Sequence, residues 1–418
     1  MTRTDIIQAA FKVWGRELYK TTSLSDIARE LKVSKPALYR HFKNKQELLD
    51  AMYGYYFDQY TGFVKEGFEK AIQTPDIMES MLILIRTLSE YYARHTDAFV
   101  FSLIRVYGSQ DHGAMMEQLL SRGIDMRKLK RFEKYAAEYP SAIQLIVISM
   151  TFWNSHFCRF GKKAGEDPTE EAIQEVISSI EEKISAGLGL NKEQVEKLDF
   201  GRLEELVKSR KIEEADNGDL LKGVIAAVAE AGPWCVSMEM VARRSGLSKS
   251  SLYSHFKNKK DMIRQLFLTE FERIANHAKV GALLSAAPEE QFYLAIFSIA
   301  DYLRSRPEIL IAMDWLRTRK PEMGKPVPPR VFNIFSGIKI EALEQTADAE
   351  PPGADRTTQW ILFLLVNTLM WWRRRLNLGS PQYDEKIQYD KAAFADLPDS
   401  SIRKLYRFLT LGIKGFQV

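Results

Sequence analysis

Residues Val33–Leu49 read VSKPALYRHFKNKQELL, and residues Leu247–Ile263 read LSKSSLYSHFKNKKDMI. The two stretches lie 214 residues apart and agree at nine of seventeen positions without a gap. A solenoid unit repeats every ~20–50 residues, so this spacing is too long for one. It is the size of a small domain, and the chain reads as a fused duplication. The same offset reaches back to Ile6, Ile7, Ala10, Phe11 and Trp14, which share a helical face with the spacing of Leu220, Leu221, Val224, Ile225 and Val228.

Apolar residues recur at three- and four-residue steps along most of the 418 residues, and strand alternation is scarce. This pattern predicts an all-α protein. Within each copy the punctuation is legible. Ser23 can cap a short helix over Leu24–Leu31, with Asp26 as its capping-box partner. Ser237 repeats the cap, but Met240 does not repeat the box. Lys32-Val33, or Gly246-Leu247, makes a tight connection. A second short helix starts at Ser34 or Ser248, and Pro36 suits its first turn. Asn44 and Asn258 then cap a longer helix, with Glu47 and Asp261 at its third position. Two short helices joined by a few residues form a helix-turn-helix, whose second helix can enter a major groove.

The charge pattern agrees. Lys35, Arg40, His41, Lys43 and Lys45 crowd the second short helix, as do Lys249, His255, Lys257, Lys259 and Lys260. No acidic residue falls between Lys32 and Lys45, or between Arg243 and Lys260. The whole chain carries only +4, so these patches are local and suited to neutralising phosphates. Tyr39 and Tyr253 can donate hydroxyls to phosphate oxygens, and the amides at Lys45 and Lys259 open a helix that can do likewise. The candidate base-reading positions differ. Pro36, Ala37 and Arg40 become Ser250, Ser251 and Ser254. Arg40 can grip a guanine with two hydrogen bonds, and Ser254 cannot. The expected partner is a double-stranded operator of imperfect symmetry.

Thr22–Leu49 and Val236–Ile263, with their shared S-K-x-x-L-Y-x-H-F-x-N-K core, resemble the TetR family of bacterial transcription regulators. The resemblance covers about a tenth of the chain per copy. It implies a three-helix DNA-binding head followed by a helical body that holds a small-molecule effector and pairs through its last two helices. By match to the motif, Ser23, Lys35, Tyr39, His41 and Lys45 would touch DNA, as would Ser237, Lys249, Tyr253, His255 and Lys259. Ser34, Pro36, Ala37, Arg40, Ser248, Ser250, Ser251 and Ser254 complete the candidate DNA-contacting set. Leu38, Phe42, Leu252 and Phe256 are expected in the head cores.

Typical members are single-copy chains that dimerise. Two fused copies therefore suggest a pseudo-dimer within one chain, with pairing of two chains as the alternative. Met150–Gly161 aligns with Thr368–Gly379, and Ile173, Val176, Ile177, Ile180 and Ile184 share a face with Ile402, Leu405, Tyr406, Leu409 and Ile413. The expected interface residues are Trp153, Ile177, Ile180, Ile184, Trp371, Leu405, Leu409 and Ile413. The resulting plan is a head over 1–48, a body over 49–190, a charged helical linker over 191–216, a second head over 217–262 and a second body over 263–418. As one helix, Asn191–Asp216 would span about 39 Å at ~1.5 Å per residue.

Other chemistry finds little support. Cys158 and Cys235 are far apart and give neither a disulfide framework nor a metal-ligand spacing. His156-x-Cys158 is weak evidence for a metal, and His95 and His112 have no obvious partners in the sequence. No cofactor or metal is expected beyond an effector of unread identity. The N-terminus lacks a long apolar leader, and Trp360–Trp372 is too short to span a bilayer. A cytoplasmic protein is the expectation. No phosphate loop, metalloprotease pair or nucleophile elbow is present, so a regulator is expected rather than an enzyme. A DNA-binding or interaction scaffold without an effector is the competing reading. The aromatic groups Tyr53, Tyr55, Tyr56 and Phe57, and Trp153 and Phe157, are expected mainly in packing.

Overall fold

The computed structural model describes residues 1–16, 23–103, 112–161, 166–210, 219–306, 309–310, 334–335, 337–344, 356–376 and 398–416. Every regular element among these residues is helical, as the apolar spacing predicts. The chain divides into two compact units, Met1–Ser185 and Ala186–Val418.

The first unit opens with α1 (Arg3–Arg16), α2 (Leu24–Glu30) and α3 (Lys35–Tyr39). Ile6, Ala10, Phe11 and Trp14 of α1 pack in one core with Leu24, Ile27, Ala28, Leu38 and Phe42. Lys32 ends α2 with a left-handed backbone, φ 55°. The Val33 amide then reaches back to the Ala28 carbonyl at 3.0 Å. This closure is a Schellman stop, and it turns the chain into α3.

α4 (Lys45–Gln73) follows, capped as expected: Asn44 accepts from the Glu47 amide at 2.8 Å. Glu47 in return accepts from the Lys43 amide at 2.8 Å. Leu48, Leu49 and Met52 close the head core, while Val64, Phe68 and Ala71 are buried farther along the same helix. Head and body thus share one continuous helix across residue 48. The body adds α5 (Ile77–Arg94), α6 (Thr96–Phe101), α7 (His112–Ser121), α8 (Lys130–Glu138), α9 (Pro140–Phe160) and α10 (Glu170–Ala186). The head seats on α6, where the Phe101 ring meets Phe11 of α1 edge-on at 4.9 Å and Tyr53 of α4 at 5.2 Å.

The second unit does not begin with one long linker helix. α11 (Lys192–Glu196) and α12 (Phe200–Lys208) are separate, and residues 211–216 lie outside the described residues. The break has a local cause. Asn191 and Asp199 each start a new helix by accepting from a first-turn amide, at 2.8 and 3.0 Å. Packing then fixes the pair to the second body. Val195, Leu203 and Val207 are buried. Glu204, 3% exposed, accepts two bonds from Arg403, at 2.7 and 2.6 Å, and one from the Tyr293 hydroxyl at 2.6 Å. The segment read as a spacer is therefore part of the core of the second unit.

α13 (Asp219–Cys235), α14 (Met238–Arg244), α15 (Lys249–His255) and α16 (Lys259–Ala282) repeat the head and its shared helix. The turn after α14 uses Gly246 at φ 66°, with the Leu247 amide on the Ala242 carbonyl at 2.9 Å. α17 (Pro288–Ser305), the short α18 (Glu341–Glu344), α19 (Arg356–Leu376) and α20 (Asp399–Leu411) complete the described body.

The 214-residue register continues past the recognisable motif. Gly67 of α4 and Gly281 of α16 differ by that offset, and each faces a hydroxyl on the following helix. A Cβ would lie 2.2 Å from the Thr87 hydroxyl in one case and 2.2 Å from the Ser298 hydroxyl in the other. Both helix pairs approach too closely for a larger residue. A charge exchange also marks the duplication. Arg16 and Glu30 of the first copy correspond to Glu230 and Arg244 of the second. In the second copy these two are ion-paired, with Arg244 Nε 3.0 Å from Glu230.

α19 contains the apolar run Trp360–Trp372, and Trp360, Ile361, Leu364 and Leu365 are buried. No helix among the described residues is long and apolar enough to cross a membrane. The α-helix of α20 stops at Leu411, before Ile413 of the expected apolar face. Gly412 takes φ 62°, and Ile413 lies in a short 3-10 turn, Gly412–Phe416.

Candidate nucleic-acid interface

The helix-turn-helix builds its outer surface from residues left over after core packing. In the first head, Leu38 and Phe42 are inside, so the residues between and around them point out. Ser34, Lys35, Pro36, Tyr39 and Arg40 are exposed, and His41 and Lys45 are half-buried. In the second head, Leu252 and Phe256 are inside. Ser248, Lys249, Ser250, Tyr253, Ser254 and His255 are exposed, and Ser251 and Lys259 are half-buried. Tyr39 is 45% exposed and Tyr253 48%. A large aromatic ring left in water at the same register in both copies is what a surface built for contact requires.

One candidate does not belong with these. Ala37 is 8% exposed and faces inward. With Leu38 it is one of the two buried residues of α3, so it is not presented for contact. Its counterpart Ser251 serves the helix start, its amide donating to the Ser248 hydroxyl at 3.0 Å. Ser254 is also engaged, donating its hydroxyl to the Ser251 carbonyl at 2.6 Å. Ser248 and Ser250 hydroxyls lie 2.9 Å apart.

The caps of α2 and α14 differ in what Asp26 adds, since Met240 has no carboxylate. Ser237 accepts from the Met240 amide at 3.1 Å, as expected. Ser23 gives both its amide and its hydroxyl to the Asp26 carboxylate, each at 2.7 Å. Those hydrogen bonds hold the Asp26 carboxyl below its ordinary range. Asn258 repeats the Asn44 cap, accepting from the Asp261 amide at 2.9 Å.

Two features of this surface were not apparent from the motif. Arg3 of α1 donates to the His41 carbonyl at 2.6 Å and lies 4.2 Å from the centre of the Phe42 ring. It fixes the end of the reading helix from outside the repeat. In the second head, Glu239 of α14 accepts from Lys249 Nζ at 2.6 Å. That hydrogen bond and the opposite charge raise the Lys249 ammonium and lower the Glu239 carboxyl from their ordinary values. Lys35, at the matching position of the first head, instead lies 5.9 Å from the ring centre of its own Tyr39.

Residues 6–52 and 220–266 each match the family described as bacterial regulatory proteins, tetR family. The chain carries the tetR-family head twice, in tandem. An HTH-type transcriptional regulator, YuxN of Bacillus subtilis, is 43% identical over 54 residues, 13% of this chain and 19% of that protein. The chain thus spans about a fifth of that relative's length. A second HTH-type regulator, MT1294 of Mycobacterium tuberculosis, is 20% identical over 139 residues, 33% of this chain and 67% of that protein. Among solved structures, the fatty acid degradation regulator FadR of Bacillus halodurans has a TM-score of 0.36 at 16% identity, covering 49% of this chain and 99% of that one.

The body of the first unit contains a cavity of about 150 Å³. It lies among α4, α5, α7, α8 and α9, with Tyr60, Phe68, Met81, Leu88, Phe132 and Met150 in its wall. The Thr87 hydroxyl in that wall is already spent on the Ile83 carbonyl at 2.7 Å. Among the described residues, no charged side chain lines the cavity. The aromatic residues singled out from the sequence do other work. Tyr56 and Phe57 are buried packing residues, and the Tyr56 and Tyr92 hydroxyls lie 3.0 Å apart. His95 packs on Tyr91 at 4.8 Å, and burial lowers its imidazole from the ordinary range, with the Arg94 charge adding to this.

The expected pairing residues fall on the last two long helices of each unit and on the short turn after α20. Trp153, Ile177, Ile180 and Ile184 are buried, as are Leu405, Leu409 and Ile413. Trp371 falls on α19, with its side chain outside the described residues.

Proposed function

We propose that this chain is a sequence-specific DNA-binding transcription regulator, a repressor released by a small apolar effector. The observation that carries the reading is the exposed Lys-Tyr surface, present twice, on two helix-turn-helix scaffolds with matching turns and matching Asn44 and Asn258 caps. Phosphate contacts from Lys35, Tyr39, Lys45 and their counterparts would set register, and Arg40 would read a base. The heads differ at the reading positions, so the operator is an imperfect palindrome. A single chain supplies both heads.

The cavity of the first body supports the effector. With no charge among the described residues of its wall, it would favour an uncharged, apolar ligand over water. At about 150 Å³ it suits a group of roughly benzene size as it stands. Its wall also reaches the head through touching rings. Tyr60 stacks on Tyr56 at 5.6 Å, Tyr56 meets Phe101 at 5.6 Å, and Phe101 meets Phe11 of α1 at 4.9 Å. An effector that fits better when these rings shift would favour a head position with weaker DNA binding.

Selection from a random-sequence duplex pool, followed by footprinting with the full chain, tests the reading. An enriched two-part site that is weakened by Lys35→Ala and by Lys249→Ala is expected. Binding that enriches no sequence, or survives both substitutions, would overturn it. For the effector, Ile146→Phe partly fills the cavity. It should abolish release by apolar aromatic probes while leaving DNA affinity in their absence within about twofold.

A further inference from the structure

The two heads share their fold and most of their surface lysines, yet they differ at one contact that the repeated motif does not contain. Glu239 stands in the first turn of α14, eight residues upstream of Leu247. Packing of α14 against α15 brings its carboxylate 2.6 Å from Lys249 Nζ. Both side chains are exposed, at 72% and 55%. Like Ser248, Tyr253 and Ser254 they are exposed, whereas Met238, Val241 and Leu252 are buried. At the same offset the first head has Ser25, which carries no charge. Among the described residues, no carboxylate pairs with Lys35.

We propose that Glu239 sets the second head as the weaker DNA grip by holding Lys249 in place of a phosphate. This rests on the reading of both heads as DNA-binding. A carboxylate in the contact surface acts twice. It competes with DNA phosphate for the ammonium, and it repels the phosphate that would approach. Because the pair is exposed, its attraction is modest, so the handicap is graded rather than absolute. The first head, with Lys35 uncommitted, engages DNA first. The second head then docks on an already tethered duplex, where its weaker grip is offset by proximity. The same arrangement makes the second half-site more dependent on sequence and less on phosphate.

Charge neutralisation on DNA is read directly from salt dependence, since each phosphate contact contributes about 0.9 to the slope of log K against log salt. The test uses the full chain, a fluorescein-labelled 40-bp mixed-sequence duplex, and titrations over a series of potassium chloride concentrations. Glu239→Ser copies the first head and should tighten binding severalfold at low salt, steepening the slope by about 0.9. Ser25→Glu copies the second head and should weaken binding with a shallower slope. If Glu239→Ser leaves affinity and slope unchanged while Lys35→Ala weakens binding, the role of Glu239 is overturned and the heads still bind DNA. Weaker binding by Glu239→Ser would likewise overturn it, and would mark Glu239 as an acceptor for DNA donors. If Lys35→Ala, Lys249→Ala and Tyr39→Phe all bind as the parent chain does, the DNA-binding reading itself fails, and this inference fails with it.

Discussion

At the scale of single residues, the duplication acts as an internal control. Lys32 and Gly246 hold the same left-handed position, at φ 55° and 66°, but only glycine does so without a Cβ penalty. Lys32→Gly should stabilise the first head by about 1 kcal/mol, and Gly246→Lys should destabilise the second by a similar amount. Hydrogen exchange of the head amides measures both. A null result for both would mean that the Schellman bonds, rather than the φ angle, dominate the turn. Arg40 offers a second comparison. Arg40→Ala should cost about 1–3 kcal/mol of discrimination at one base pair of one half-site. The other half-site, facing Ser254, should be unchanged in a base-by-base binding profile. The helix starts at Asn44, Ser237 and Asn258 were readable from sequence because a cap is a local bond. Ser23 was readable for the same reason: it forms the expected capping box with Asp26, and its hydroxyl also donates to the Asp26 carboxylate at 2.7 Å.

At the scale of elements, the segment from Gly187 to Lys208 is built into the second body. Gly187 takes φ 61°, and a Cβ there would lie 2.5 Å from the Leu409 carbonyl. The next amide, Leu188, bonds that carbonyl at 2.8 Å. Gly187→Ala should therefore destabilise the second unit by more than the roughly 1–2 kcal/mol of the left-handed conformation alone, as read by urea denaturation. Glu204 depends equally on its partners. Arg403→Ala leaves the Glu204 carboxylate with the Tyr293 hydroxyl and whatever water enters beside it, since the Arg403 side chain is 40% exposed; the change should destabilise the second unit by less than the roughly 3–5 kcal/mol of a fully buried pair, with Arg403→Lys recovering part of it.

Acid should loosen the same region. Burial pushes the Asp399 carboxyl up, but bonds and charge from Lys208 and Arg304, both at 2.7 Å, outweigh it and hold the carboxyl below its ordinary range. A lowered folded-state value means the stabilisation is present above about pH 4, the unfolded carboxylate range. It is lost as pH falls through the lower folded value. Thermal unfolding of the second unit should drop between pH 5 and 3 by a larger margin than in Asp399→Asn. The sequence showed the amphipathic pattern of this segment correctly. It did not show the break between α11 and α12, since a run of good helix formers hides two caps that are favoured only once Val195 and Phe200 are drawn into the core.

At the scale of the whole molecule, one chain carrying two unequal heads predicts its own operator. Selection should enrich two half-sites of unequal information content, and a perfect palindrome with equal weights would refute this. If one chain supplies both heads, the mass of the protein on a short operator should be that of a single chain. Two chains on one site would remove that proposal.

The amino-acid sequence determined the helical class, the duplication, both helix-turn-helix units and the surface lysines and tyrosines, because periodicity, caps and turn residues are interactions between near neighbours. It also placed the apolar stripes of the last helices. What only the tertiary structure decided depends on residues distant in sequence. It turned Ala37 inward, gathered α4, α5, α7, α8 and α9 around an apolar cavity, folded the supposed linker into a core, and set Arg3 over the end of the first reading helix. The contact between Glu239 and Lys249 belongs with these. No spacing rule announces it, because it exists only when two helices pack and a carboxylate is brought to the face where a phosphate is expected.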